Sequence, residues 1–177
     1  MAAQITFQKD NIVLIGMPAS GKSTVGVVLA KMLGYDFIDT DLLIQRQEGC
    51  RLDEIIARDG LDGFLEIENA VCAAVKASRT VIATGGSVVY GEEAMRHLGS
   101  FGQVVYLEVD LGSLRGRLQD IHQRGVVLRR DQSLEDLYRE RIVLYERYAD
   151  LVVREEGLTL EETAEAVLDG VRQTLYK

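Results

Sequence analysis

Residues 11–24 constrain this chain more than any other stretch. Asn11-Ile-Val-Leu-Ile15 is a continuous apolar, β-branched run, the pattern of a strand buried on both faces of a sheet, and Gly16-Met-Pro-Ala-Ser-Gly21-Lys22-Ser23 follows it directly. That octet fits G-x-x-x-x-G-K-[ST]. Val25 to Leu33 then reads as a helix, so the motif lies between strand and helix, the context its chemistry requires. Glycines at both ends let backbone N–H groups curl round a phosphate, and the helix N-terminus points its positive dipole end at it. Gly16, Ala19, Ser20, Gly21, Lys22, Ser23 and Thr24 are therefore the expected contacts to a nucleotide, Lys22 reaching the outer phosphates and Ser23 offering its hydroxyl to Mg²⁺.

The rest of the chain repeats the alternation. Phe37-Ile38 is a short second strand. Residues from Leu42 to Lys76 look helical in pieces, broken at Gly49, Gly60 and Gly63. Val81-Ile-Ala83 runs into Thr84-Gly85-Gly86, a helix around Glu92–Leu98 leads to a strand at Val104–Leu107, and another helix spans about Leu111 to Ile121. Ser133-Leu-Glu-Asp136 opens a further helix with a capping-box pattern, Leu151-Val-Val153 is a fifth strand, and Thr159-Leu-Glu-Glu162 caps the last helix. Five short apolar strands alternating with helices imply an α/β fold whose parallel sheet is covered on both faces. A chain of 177 residues, 47% apolar, with no repeat or linker, suits one domain over 1–177.

Charge and composition remove several function classes. The net charge of −8 disfavours a broad nucleic-acid-binding face, although the stretch 115–147 is locally basic and could grip a small anion. Apolar runs such as Ile12–Met17 are far shorter than a membrane span, and Met1–Asp10 lacks a secretory signal pattern. Cys50 and Cys72 are too few for a disulfide framework and read as reduced, buried thiols. The expectation is a cytoplasmic monomer that binds neither nucleic acid nor membrane.

Phosphate binding alone does not define a reaction; carboxylates supply the next constraint. Asp39 and Asp41 stand just past the second strand, at the end of the sheet where ligands bind, and in a turn both can face one cleft; capping the following helix is the competing use. Arg141 interrupts the helical stripe Leu134, Leu137, Tyr138, Leu144, Tyr145 and Tyr148. Its planar fork suits a carboxylate ligand, against the alternative of a stem laid on the core with its head in water. His97 and His122 lack metal-ligand spacing and read as surface or lid residues.

The phosphate loop, Phe37-Ile-Asp-Thr-Asp41, the Gly60…Phe64…Glu68 segment, Thr84-Gly-Gly86 and Arg141-Ile-Val-Leu-Tyr145 together resemble the shikimate kinases in order and spacing, from about Ile12 to Val153. The resemblance implies the three-layer P-loop kinase fold of the nucleoside monophosphate kinases. It carries a five-stranded sheet in the order 2-3-1-4-5, a helical substrate-binding region at about 42–77 and a lid at about 121–133. It further implies ATP-dependent transfer of the γ-phosphoryl group to a small hydroxylated carboxylate, with shikimate as acceptor. Lys22, Asp41 and Arg124 would be catalytic, Ser23 and Asp39 would hold Mg²⁺, Arg117 would lie against adenine, and Asp41, Gly85, Gly86 and Arg141 would bind the acceptor. The chain departs from that pattern at Leu65, where the family carries a second carboxylate-binding arginine, at Ser87 in a three-glycine turn, and at Gly125 after the lid arginine. Arg58, Arg129 or Arg130 could replace the missing cation. Homoserine, with Glu66 facing its ammonium, is an alternative acceptor. A nucleoside monophosphate kinase and a non-catalytic nucleotide-binding module are the readings from other classes.

Overall fold

The computed structural model describes residues 9–118, 129 and 131–175. Its five strands are β1 (Asn11–Ile15), β2 (Asp36–Asp39), β3 (Thr80–Ala83), β4 (Gly102–Glu108) and β5 (Leu151–Arg154). They form one sheet in the order β2-β3-β1-β4-β5, every neighbouring pair parallel. Among the described residues seven α-helices flank it: α1 (Lys22–Leu33), α2 (Thr40–Glu48), α3 (Leu52–Ala73), α4 (Glu92–Phe101), α5 (Leu111–Arg117), α6 (Leu134–Tyr148) and α7 (Leu160–Leu175). The expected strand order and layering are both present.

Strand periodicity sorts the core into two layers. Val13, Ile15, Ile82, Val104 and Tyr106 pack with Cys72, Leu98, Leu114 and Tyr145 on one face of the sheet, while Ile12, Leu14, Val81, Val105 and Leu107 pack with Val25, Leu29 and Val167 on the other. Both faces of β1 are covered, which is why its sequence is uniformly apolar after Asn11. A smaller cluster, Ile44, Ile55, Phe64 and Val71, holds α2 against α3.

Helix ends follow local chemistry. Ser133 and Asp136 form the capping box of α6, and Thr159 and Glu162 exchange the same reciprocal bonds before α7. Gly49 ends α2 in the left-handed conformation. The expected break at Gly63 does not occur. Gly60, at φ 74, takes the non-helical conformation and kinks α3, so Gly63 needs none and stays within the helix.

One buried polar side chain ties the near end of the sheet together. Asn11 is 1% exposed; its Nδ2 donates to Ala77 O and Phe101 O, both at 3.1 Å, and its Oδ1 accepts from Thr80 N at 3.0 Å. Asn11→Leu strands three backbone groups in the interior, so the variant should lose about 2–4 kcal/mol of stability. Chemical denaturation should show a lower midpoint at unchanged slope.

Candidate active site

The site begins where β1 ends. Gly16 has φ 150, and a Cβ there would stand 2.7 Å from Leu107 O of the adjacent strand, so glycine alone permits the turn. The loop then wraps the Lys22 side chain. Lys22 Nζ donates to Gly16 O at 2.9 Å, Met17 O at 2.8 Å and Ser20 Oγ at 3.2 Å. Burial lowers its pKa to about 8; Arg141 adds to that effect, while Asp41, Glu155 and Asp39 oppose it. Gly21 and Ser23 line the cleft beside it.

Ser23 and Asp39 meet across the loop. Ser23 Oγ donates to Asp39 Oδ2 at 2.6 Å. Asp39 is also the N-cap of α2, its Oδ1 accepting from Asp41 N at 3.0 Å. Capping uses only one oxygen of this carboxylate, and the other accepts from the phosphate-loop serine. A hydroxyl and a carboxylate beside a phosphate loop are the hard oxygen donors that Mg²⁺ takes together with phosphate oxygens. Among the described residues no cluster of three or more His, Cys, Asp or Glu could hold a metal by itself.

A cleft of about 320 Å³ continues from the loop to a second wall built from Asp41, Leu52, Phe64, Glu68 and Thr84–Ser87. Asp41 is pushed up to about 6 by burial and by Asp39, against the pull of Lys22. Glu68 is pushed up to about 7, chiefly by burial, with Asp41 adding to it and the bond from Ser87 opposing. Ser87 Oγ donates to Glu68 Oε2 at 2.5 Å, while Oε1 is buried without a hydrogen-bond partner.

Arg141 reaches this wall from α6. It is 3% exposed, so its head does not emerge into water. Nε donates to Tyr90 Oη at 3.3 Å, the guanidinium carbon lies 5.3 Å from the Tyr90 ring centre, and Nη1 lies 3.1 Å from where a Cβ on Gly86 would stand. Tyr145 Oη, donating to Gly86 O at 2.6 Å, fixes the same turn. Arg141 forms no ion pair among the described residues, which leaves a buried cation at the edge of the cleft for an anion to meet. On the opposite side of the phosphate loop, Arg117 Nη1 donates to Glu155 Oε2 at 2.9 Å and to Ala19 O at 3.3 Å.

Lys22, Ser23, Thr24, Asp41, Gly85 and Gly86 thus share one cleft, with Asp39 bonded to Ser23, Arg141 behind Gly86 and Arg117 on the loop's outer side. Arg124, His122, Gly125, Arg130 and most of the expected lid lie outside the described residues. Of the proposed replacements for the missing cation, Arg58 and Arg129 do not line the cleft. Arg58 is exposed and bound to Glu48 and Asp59, and Arg129 is exposed. Leu65 packs into the cluster between α2 and α3. Glu66 is exposed and does not line the cleft; the acids that do are Asp41 and Glu68. His97 is half-buried, bonded to Val75 O at 2.7 Å rather than free at the surface. Cys72 is buried with its thiol pushed up to about 12 by burial; Cys50 is only half-buried.

Glu68, Ser87, Tyr90 and Glu155 carry no role in the sequence reading. Glu68 has the clearest local signal: it follows Phe64 by four positions, so an acid shares the helix face of a core aromatic. The others find partners far away in sequence, which no local pattern reveals.

A parallel sheet with a phosphate loop at the carboxyl end of its central strand, facing an acceptor wall of a carboxylate, a glycine turn and a buried arginine, defines a small-molecule kinase. The comparisons place it further. Residues 18–172 match the shikimate kinase family model. A shikimate kinase from a Synechococcus species is 41% identical over 169 residues, covering 93% of this chain and 85% of its own. The structure of an Acinetobacter baumannii shikimate kinase in complex with shikimate superposes with a TM-score of 0.85 at 30% identity, covering 96% of each chain. An Aquifex aeolicus shikimate kinase gives a TM-score of 0.79 at 29% identity, covering 93% of this chain and 98% of its own. The chain belongs to the shikimate kinase family.

The raised Glu68 pKa has a measurable consequence. Above the ordinary carboxylate value and up to about 7, folded Glu68 holds a proton that the unfolded chain has released, so its contribution to stability falls as pH rises through that window. Glu68→Gln should reduce this slope in pH-dependent denaturation, and carboxyl ¹³C titration should place the Glu68 midpoint near 7. A midpoint in the ordinary carboxylate range would contradict the burial.

Proposed function

We propose that this protein is a shikimate kinase, transferring the γ-phosphoryl group of ATP to the 3-hydroxyl of shikimate in aromatic amino-acid biosynthesis. The observation that carries this reading is the arrangement of Lys22 and Ser23 on one side of a single cleft and Asp41, Gly85 and Gly86 on the other, with the buried Arg141 behind Gly86. A protein that only bound nucleotide would need no such second wall.

Phosphoryl transfer asks the protein for position and charge rather than covalent chemistry. The loop N–H groups and the start of α1 hold the ATP phosphates, with Gly16, Ala19, Ser20, Gly21 and Thr24 shaping that cradle. Lys22 exchanges its loop carbonyls for phosphate oxygens, and Arg117 lies against the base. Ser23 and Asp39 would hold Mg²⁺, and the ion, when bound, would neutralise charge on the phosphates. Arg141 binds the acceptor carboxylate while Gly85 and Gly86 offer backbone groups. Asp41 accepts the proton of the attacking hydroxyl as the new O–P bond forms and the bond from Pγ to the bridging oxygen of ADP breaks. Arg124, outside the described residues, would complete the set by the family resemblance as the lid arginine.

The test is a coupled assay of ADP release from purified protein with ATP, Mg²⁺ and, in turn, shikimate, homoserine, gluconate and nucleoside monophosphates. Shikimate should be the preferred acceptor, and negligible turnover of it would overturn the reading. Lys22→Ala should abolish transfer while the protein still folds, because the side chain serves the loop and not the apolar core. The pH profile of kcat/KM should be bell-shaped. Protonation of Asp41 removes the base as pH falls through about 6, and loss of the Lys22 ammonium removes a phosphate contact as pH rises past about 8.

A further inference from the structure

Two buried groups in the cleft take no part in the roles above. Ser87 precedes the single-turn 3₁₀ helix Val88–Tyr90 at φ −93 and ψ −5, a conformation open to any residue, and its hydroxyl makes no capping bond. The hydroxyl goes instead to Glu68 Oε2, on a helix 19 positions earlier in the chain. Glu68 is 1% exposed, and its other oxygen has no partner. A buried polar atom without a partner is costly, so one held in place at the wall of a cleft points to a ligand group that completes it.

The direction of that oxygen is fixed by its neighbours. Glu68 Oε1 lies 2.2 Å, and Asp41 Oδ1 2.8 Å, from the point where a Cβ on Gly85 would stand. Two carboxyl oxygens from different helices therefore converge over the bare face of one glycine, and Asp41, Glu68, Gly85 and Ser87 all line the same cleft. Two adjacent acceptors match two adjacent donors. A lone hydroxyl would satisfy one and leave the other stranded, whereas neighbouring hydroxyls on one molecule satisfy both.

We propose that Ser87 is a positioning residue: it fixes Glu68 so that Oε1, beside Asp41 Oδ1, accepts a hydrogen bond from the hydroxyl adjacent to the one phosphorylated. The site thereby selects acids carrying a vicinal diol. This rests on the kinase reading above and adds a specificity determinant to the same site.

Steady-state kinetics with shikimate, and with its analogue lacking the hydroxyl adjacent to the phosphorylated one, test it in wild type, Ser87→Ala and Ser87→Thr. Wild type should prefer shikimate by about ten-fold or more in kcat/KM. Ser87→Ala should raise the KM for shikimate about ten-fold, leave the KM for ATP unchanged and leave turnover of the analogue unchanged, so the preference collapses. Ser87→Thr, which keeps the hydroxyl, should restore it. An unchanged shikimate KM in Ser87→Ala, equal losses on both acceptors, or a Ser87→Thr protein that melts like wild type yet behaves like Ser87→Ala would each overturn the proposal alone. A wild-type protein that phosphorylates neither acceptor would overturn the kinase reading and this inference with it.

Discussion

A buried ammonium group organises this molecule. Lys22 sits at the end of the central strand with its Nζ held by two loop carbonyls and a serine hydroxyl. An unpaired cation in that position would be prohibitive, so the loop must close around it, and the loop can close only because Gly16 and Gly21 both take positive φ. The strand, the loop and α1 are thus one unit. Val25 and Leu29 on α1 pack under the sheet beside Leu14, which fixes the direction in which the helix N-terminus points.

Electrostatics sets the second condition. A chain of net charge −8 presents Asp39, Asp41 and Glu68 around a cleft meant for a polyphosphate and an acid. Burial resolves part of this conflict by moving Asp41 and Glu68 towards neutrality, since desolvation penalises the charged form. Arg141 resolves another part. Its guanidinium is held by Tyr90 rather than neutralised by a carboxylate, so its charge remains available at the cleft edge.

The fold was legible because its signals are local. Buried parallel strands write themselves as β-branched runs, and capping boxes at Ser133 and Thr159 mark helix starts within four residues. The kink was legible only in part: two glycines three positions apart, Gly60 and Gly63, look alike in sequence, and only Gly60 takes the non-helical conformation. The phosphate loop and Asp39 and Asp41 were readable for the same local reason. Glu68 with Ser87, Arg117 with Glu155 and Arg141 with Tyr90 were not, because each pair joins different elements 19, 38 and 51 positions apart, so their meeting is a property of the fold.

The glycines of the site separate two demands that a motif runs together. Gly16 and Gly21 are needed for backbone conformation, because L-residues rarely take their positive φ. Gly85 is not among the residues of positive φ, yet any side chain there would collide with the oxygens of both Glu68 and Asp41. Gly86 is bounded in the same way by Pro18 and the Arg141 guanidinium. The first pair shapes the loop that closes around Lys22. The second leaves the space in which carboxyl groups and a cation from three helices can approach one another, and that approach requires an empty position at the end of β3 more than it requires a turn.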